Sequence, residues 1–261
     1  MRKAFIIAAL LLNSISLFPE SYKVVKVIGN IVVKKSGAQL SQGDVIQASE
    51  PIIFKTPESK ASVISSEKGR FVLAANSVNN SSSLKSNLIP PMSNISSRGV
   101  AMFSVGDIKN NFFGKYLLLQ RSEENIPGGI LPLNDSSFFF FTFTHNAEEI
   151  NKKIGHNGNT LIITEKDLFM VDGKAVAHAE STFVKVNYYS NKKPLFLNEM
   201  SVITPNNDQI KKEINMILNE SKTKTYDEKV KDITSYLNEF YGKIDDDNVK
   251  VWLKENLGLT K

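Results

Sequence analysis

The chain has 261 residues, of which 41% are hydrophobic and 23% are charged, and it contains no cysteine. This composition supports one large folded domain or two smaller ones, and it excludes disulfide bonds and a lipid-modified cysteine. The 32 basic and 27 acidic residues give a net charge of only +5, and no basic run is longer than two residues. Such a weak excess argues against recognition of a nucleic-acid backbone.

The N-terminus has the pattern of a secretory signal peptide, which we predict over residues 1–21. The basic pair Arg2–Lys3 precedes an unbroken apolar run that ends at Leu12, as in the charged and apolar regions of a signal. The run is shorter than the roughly 20 apolar residues that cross a bilayer. We therefore expect a periplasmic or secreted protein without a transmembrane span, whose mature chain begins between Leu17 and Lys23. The alternative is the first buried helix of a cytosolic protein.

Short strands predict a first β domain over residues 22–77. Runs rich in β-branched residues are separated by turn residues roughly every 8–12 positions, which is typical of a sandwich or barrel. Gly29-Asn30 lies between two such runs and predicts a two-residue hairpin turn. A second hairpin turn is predicted at Glu67-Lys68-Gly69.

Four elements of this domain follow one another in a recognisable order: a valine-rich opening with a glycine, a leucine before Gly-Asp and an apolar pair, a Ser-x-Ala step, and a last apolar strand. They read Val27-Ile28-Gly29-Asn30-Ile31-Val32-Val33, Leu40-Ser41-Gln42-Gly43-Asp44-Val45-Ile46, Ser59-Lys60-Ala61 and Gly69-Arg70-Phe71-Val72-Leu73. The segment resembles the FecR-type domain of bacterial envelope proteins. The resemblance implies a periplasmic β module used in signalling or wall association, and it implies no catalytic residues. In that family the opening strand can run straight through its glycine, which is the alternative to the first hairpin.

A stretch rich in Asn and Ser, residues 78–98, predicts a linker, because such a composition buries little apolar surface. From residue 99 to 204 a second β region is predicted, with a hairpin turn at Asp172-Gly173. One possible short helix is predicted at Ala147–Ile154. The predicted strands are Val100–Val105, Tyr116–Leu119, Ser137–Thr144, Thr160–Ile163, Leu168–Val171 and Phe183–Tyr189.

Residues 205–261 predict a C-terminal α-helical unit of three helices. Thr225 and Glu228 form a capping box at the start of the second helix, and Gly242 and Gly258 stand where the second and third helices end. Apolar side chains repeat at helical spacing, and short helices cannot hide them all among themselves. We expect this stripe to dock on the same chain, with a partner as the alternative. The candidate interaction face comprises Leu237, Phe240, Tyr241, Trp252 and Leu253.

The run Phe138–Phe141 with Phe143 predicts a central strand buried on both faces, with the helical tail on one side. The alternative is a contact with a membrane or a ligand. His178 is expected to be a half-exposed strand residue rather than a metal ligand. The sequence contains no nucleophile elbow, phosphate loop or metal-binding motif. We therefore predict no catalytic, cofactor-binding or metal-binding residues.

Together these patterns predict a mainly β fold, a sandwich or barrel of short strands, followed by the helical unit. The predicted function is an exported, non-catalytic binding or scaffold protein of the envelope or periplasm, without a cofactor. An envelope protein or a cell-wall component is the expected partner, and nucleic acid is not. The alternative is a secreted or periplasmic hydrolase of cell-wall material that relies on dispersed residues such as Asp135, His145, His156 and Asp172.

Overall fold

The computed structural model describes residues 20–91 and 102–261, which form two compact units divided between Ile89 and Pro90. Both units consist mainly of strands, and three helices end the second, so the predicted mainly β fold with a C-terminal helical unit is confirmed. Within the described ranges, no helix is long and apolar enough to cross a membrane. The apolar run of the predicted signal peptide lies outside the described residues.

The N-terminal unit contains two antiparallel sheets, in the strand orders β3-β1-β5-β6-β8 and β2-β4-β7. Both sheets contribute to one core, in which Val24 and Val63 come from the larger sheet and Ile52 and Phe54 from the smaller. The strands are β1 (Ser21–Ile28), β2 (Ile31–Val33), β3 (Val45–Gln47), β4 (Pro51–Phe54), β5 (Lys60–Ser65), β6 (Gly69–Ala74), β7 (Ser81–Ser83) and β8 (Leu88–Ile89).

The predicted hairpin at Gly29-Asn30 is wrong, because β1 and β2 belong to different sheets and do not pair. Gly29 has φ 75°, and a Cβ there would lie 2.6 Å from Oγ of Ser59. That Oγ accepts a hydrogen bond from the Asn30 N–H at 2.9 Å. The glycine thus lets the chain pass between sheets at a point of close approach. The hairpin predicted around Gly69 is confirmed, since Ser65 pairs with Gly69 between β5 and β6.

The N-terminal unit extends further than the boundary predicted at residue 77. β7 pairs with β4, and β8 pairs with β6, so the first part of the predicted linker is folded. Leu84 is fully buried, and the side-chain amide of Asn87 donates to Oγ of Ser82 at 2.7 Å and to the Ser83 carbonyl at 2.8 Å. The serines and asparagines here satisfy polar groups at a sheet margin. Residues 92–98 of the predicted linker lie outside the described ranges.

The C-terminal unit is built around a five-stranded sheet in the order β12-β11-β17-β18-β9, in which β9 runs parallel to β18. A three-stranded sheet, β10-β14-β13, and a hairpin, β15-β16, complete the strands. The strands are β9 (Gly114–Leu117), β10 (Arg121–Asn125), β11 (Phe138–His145), β12 (Glu148–Lys153), β13 (Gly155–Asn157), β14 (Thr160–Thr164), β15 (Met170–Val171), β16 (Lys174–Ala175), β17 (Ser181–Ser190) and β18 (Lys193–Ile203). The helices are α1 (Val105–Asn111), α2 (Glu165–Leu168), α3 (Asn207–Glu220), α4 (Tyr226–Phe240) and α5 (Asp246–Leu257).

Two local predictions in this unit are wrong. The helix predicted at Ala147–Ile154 is strand β12, which pairs with β11 across a tight turn where Asn146 and Ala147 have φ of 51° and 64°. In the predicted strand Val100–Val105, the described residues form a loop and the first residue of α1. The hairpin at Asp172-Gly173 is confirmed, because Val171 of β15 pairs with Lys174 of β16.

The phenylalanine run forms strand β11, but this strand is second from the edge of the five-stranded sheet rather than central, and it is not buried on both faces. Phe139, Phe141 and Phe143 are at most 4% exposed. The rings of Phe139 and Phe141 contact Phe112, which follows α1, with both centroid distances 6.0 Å. This buried face therefore packs against the α1 region and not against the helical tail. Phe138 and Phe140 lie on the opposite face and are only partly buried.

The three C-terminal helices dock within their own unit. The predicted capping box of Thr225 and Glu228 is present at the start of α4. The backbone N–H of Leu117 donates to the Lys243 carbonyl at 2.9 Å, so the segment after α4 extends the sheet beside β9. The five residues of the candidate interaction face are each at most 8% exposed, which corresponds to the expected docking within the chain; they are Leu237, Phe240, Tyr241, Trp252 and Leu253.

Candidate ligand-binding cleft

A cleft of about 480 Å³ lies in the C-terminal unit, where four connections meet. These are the loops after β9 and β18, the loop between β16 and β17, and the start of α2 after β14. An adjoining depression of about 320 Å³ shares part of the same wall and adds Phe169 and Lys166. The polar side chains that line the main cleft are Gln120, Glu165, His178, Glu180, Thr204, Asn206 and Asn207.

Backbone hydrogen bonds fix these loops relative to one another. The Glu165 N–H donates to the Gln120 carbonyl at 2.9 Å, and the Thr204 N–H donates to the Glu180 carbonyl at 2.8 Å. Glu165 is also the first residue of α2, a short helix capped by the side chain of Thr164. The lining is therefore held by the sheet margins, so its groups are preorganised for a ligand.

His178 is the central side chain of the cleft. Its ring stacks on the buried ring of Phe169, with a centroid distance of 3.7 Å and an interplanar angle of 15°. Nδ1 lies 3.1 Å from the Ala179 carbonyl oxygen and 3.3 Å from Oγ1 of Thr204, while Nε2 lies 3.5 Å from Oε1 of Glu165. The prediction that His178 is a strand residue is therefore wrong, because it lies in a loop. Its side chain is 21% exposed.

The protonation chemistry of this ring follows from its neighbours. A carbonyl oxygen can only accept, so Nδ1 donates to Ala179 in the tautomer that carries the proton on this nitrogen. In the other tautomer, Nε2 carries the proton and faces the Glu165 carboxylate, while Nδ1 can accept from the Thr204 hydroxyl.

Two amide groups of the cleft keep donors that no described residue engages. Oδ1 of Asn206 accepts from the Gln209 N–H at 3.1 Å and caps α3. Its Nδ2 is then a donor that a ligand can use. Oε1 of Gln120 accepts from the Asn256 amide at 3.3 Å. Nε2 of Gln120 is then a second donor that a ligand can use. With the carboxylate of Glu180, the cleft offers donors and an anionic acceptor to one small ligand.

Two of the residues predicted for a dispersed hydrolase site, Asp135 and His145, lie at opposite ends of one strand. Asp135 precedes β11 and His145 ends it, so an extended strand separates them by roughly 30 Å. His156 lies in β13 and Asp172 in the turn between β15 and β16. Among the described residues, no group of three or more His, Asp and Glu side chains is placed to hold a metal ion.

A buried polar network supports the same unit away from the cleft. Oε1 of Glu124 accepts from the Tyr116 hydroxyl at 2.6 Å, and its Oε2 accepts from the Asn111 amide at 2.8 Å. Oδ1 of Asn111 in turn accepts from Nζ of Lys243 at 2.5 Å. Burial raises the pKa of Glu124 and lowers the pKa of Lys243. The network joins α1, β9 and β10 to the segment that leads into α5, so we assign it a structural role.

Comparison of the sequence with protein-family models and with curated proteins finds no match.

Proposed function

We propose that the chain is an exported, non-catalytic binding protein of the envelope or periplasm, with the cleft around His178 as its ligand site. The observation that carries this proposal is a cleft of about 480 Å³ with a fixed, mixed polar lining. That volume lies within the range of roughly 300–1,000 Å³ typical of small-molecule sites. The signal-peptide pattern and the FecR-type resemblance of residues 22–77 support export and an envelope role.

The charges of the cleft indicate the ligand's chemistry. Glu165 and Glu180 line it, with His178 as the neighbouring basic group. Because His178 already contacts Glu165, Glu180 is the carboxylate available to a ligand. We propose a small polar ligand that carries a cationic amine, with hydroxyl or carbonyl groups for the amides of Gln120 and Asn206.

Calorimetric titration with arginine, spermidine and glucosamine, against glutamate and glucuronate, tests this proposal. At least one cationic compound should bind, and Glu180→Gln should weaken its binding about tenfold or more, because the carboxylate is lost. Glu199→Gln is the matched control, since Glu199 is an exposed carboxylate on β18 outside the cleft lining. Equal binding of the acidic compounds, or an unchanged affinity in Glu180→Gln, would contradict the assignment.

A hydrolase is the second candidate, and one observation favours it. Thr204, His178 and Glu165 follow one another in the order of a nucleophile, a base and an orienting acid. However, Thr204 is only 7% exposed, which leaves its hydroxyl little access to a substrate, and Nδ1 of His178 lies nearer to the Ala179 carbonyl oxygen, at 3.1 Å, than to Oγ1 of Thr204, at 3.3 Å. The binding function is therefore the better supported.

A phosphonofluoridate probe distinguishes the two candidates, because it labels activated hydroxyl nucleophiles. The binding proposal predicts no labelling of the purified mature chain. Labelling that disappears in Thr204→Val, together with turnover of an ester or amide substrate, would replace it with the hydrolase.

Export is tested by N-terminal sequencing of the mature protein. Tyr22 of β1 is 1% exposed and belongs to the core, and the Ala48 N–H donates to the Glu20 carbonyl at 2.8 Å. Cleavage should therefore fall before Glu20, in the early part of the range from Leu17 to Lys23. Intact Met1 in the soluble cytosolic fraction would refute export.

A further inference from the structure

We propose that the second face of the five-stranded sheet is a binding platform for a glycan strand. This aromatic face is defined by Phe138 and Phe140 of β11, Tyr189 of β17 and Phe196 of β18. The site is separate from the cleft around His178, and its chemistry does not depend on the ligand of that cleft.

The strand register places the four rings on one side of the sheet. Phe138 pairs with Tyr189, and Phe140 and Phe196 pair with the same residue, Asn187, from its two sides. The rings of Phe138 and Tyr189 stack with a centroid distance of 5.2 Å and an angle of 24°. Phe140 and Phe196 lie two strands apart, which is roughly 10 Å. The rings therefore form an extended surface across three strands.

These rings are accessible but held in place. Phe196 is 51% exposed, and Phe138, Phe140 and Tyr189 are partly exposed. Nζ of Lys153 lies 4.4 Å from the ring centroid of Phe138, and Phe138 and Phe140 meet edge to face. The sheet fixes the backbone, and neighbouring rings restrict the rotation of these side chains. Binding of a glycan would therefore immobilise few additional side chains and cost little conformational entropy. Accessible contiguous rings of this kind mark interaction sites on soluble proteins.

A polar ladder runs beside the rings and orients two amides. Oγ1 of Thr142 donates to Oδ1 of Asn151 at 2.6 Å and accepts from Nδ2 of Asn187 at 3.2 Å. This leaves Nδ2 of Asn151 as a donor and Oδ1 of Asn187 as an acceptor that no described residue engages. Sugar hydroxyls both donate and accept, and the C–H faces of a sugar ring are apolar. A glycan therefore matches the combination of flat rings with fixed amides.

The charge pattern favours a glycan over single-stranded nucleic acid, which also binds to aromatic platforms. Lys185 forms an ion pair with Glu149 at 3.0 Å and lies opposite Glu199 in the sheet register. Lys192 and Lys193 add positive charge at the tip of the β17–β18 hairpin, and Lys153 adds one charge beside Phe138, so the cations do not form a continuous track along the rings. A phosphate backbone needs free cations along its path, whereas a neutral polyhydroxyl strand needs none.

The test measures binding of chitohexaose and cellohexaose by calorimetry, and of purified peptidoglycan by co-sedimentation. At least one of the three should bind the mature chain. Phe196→Ala and Tyr189→Ala should each weaken that binding about tenfold or more, because they remove a stacking surface. Phe103→Ala is the matched control, since Phe103 is 83% exposed and precedes α1, and the α1 region packs on the opposite face of the sheet, where Phe112 contacts Phe139. It should bind as wild type does.

Several outcomes would overturn the proposal: no binding to any of the three glycans, unchanged binding in both aromatic variants, or preferential binding of oligo-dT. A concentration-dependent dimer that Phe196→Ala abolishes would instead assign the face to a second copy of the chain. Fluorescence of the buried Trp252 shows whether each variant is folded. Glu180→Gln should leave glycan binding unchanged, so failure of the cleft assignment and failure of this proposal are distinguishable.

Discussion

Leu237→Ala tests whether the helical tail is an integral part of the C-terminal unit. Leu237 is fully buried in α4, and the substitution removes three carbon atoms from the core. At about 0.8 kcal/mol per buried methylene, the transfer term alone is about 2.4 kcal/mol. The cavity that remains adds to this cost, so we expect a loss of about 2–4 kcal/mol in the free energy of unfolding. For a unit of this size, that corresponds to a decrease in Tm of roughly 5–15 °C.

The assay is thermal and urea unfolding followed by tryptophan fluorescence. Trp252 is the one tryptophan of the chain and is 2% exposed in α5, so its emission reports the C-terminal unit. Val251→Ala is the control, since Val251 is 40% exposed and its truncation should change stability by about 0.5 kcal/mol or less. A Leu237→Ala protein that melts like wild type would refute the reasoning. If it also lost self-association, the tail would be an interaction module.

Three further predictions concern the same unit. Gly242→Ala should destabilise it by about 1–3 kcal/mol in urea unfolding, because φ is +150° and the new Cβ would lie 2.8 Å from the Lys115 carbonyl oxygen. The raised pKa of Glu124 stabilises the folded state at low pH, below its unfolded value near 4.5, and this stabilisation is lost as pH rises through the folded pKa. Glu124→Gln should therefore flatten the dependence of unfolding free energy on pH above the unfolded pKa near 4.5, as urea unfolding at a series of pH values would show. Thr225→Ala should cost about 1 kcal/mol in the same unfolding assay, through loss of the α4 cap.

The sequence predicted best those elements whose signal is local. The capping box of Thr225 and the hairpin at Asp172-Gly173 each depend on side chains within a few residues. The hairpin predicted at Gly29 was wrong because a glycine with positive φ occurs both in hairpin turns and where the chain passes from one sheet to another. Ala147 gave no turn signal, although it adopts φ 64° in a tight turn. The whole of β18 was missed, because Pro194 and the polar residues of this strand interrupt the apolar alternation.

The candidate sites could not be predicted from spacing. Glu165 begins α2, whereas His178 and Thr204 lie in two separate loops, and only the folded sheet brings the three residues together. The phenylalanine run was recognised as a strand, but its periodicity could not show that only one face would be covered. The partner of Phe140 across the sheet is Asn187, and such long-range register is not encoded in any local pattern.

The contact between Lys243 and α1 has a consequence for the order in which the chain can fold. Nζ of Lys243 bonds to Asn111, a sequence separation of 132 residues, and the Lys243 backbone pairs with that of β9. Contacts of such high sequence separation form slowly, because a long loop must close before any contact is gained. During synthesis, β9 cannot acquire this neighbour until the segment after α4 has left the ribosome. The main sheet of the C-terminal unit therefore stays incomplete at β9 while the intervening residues are being made.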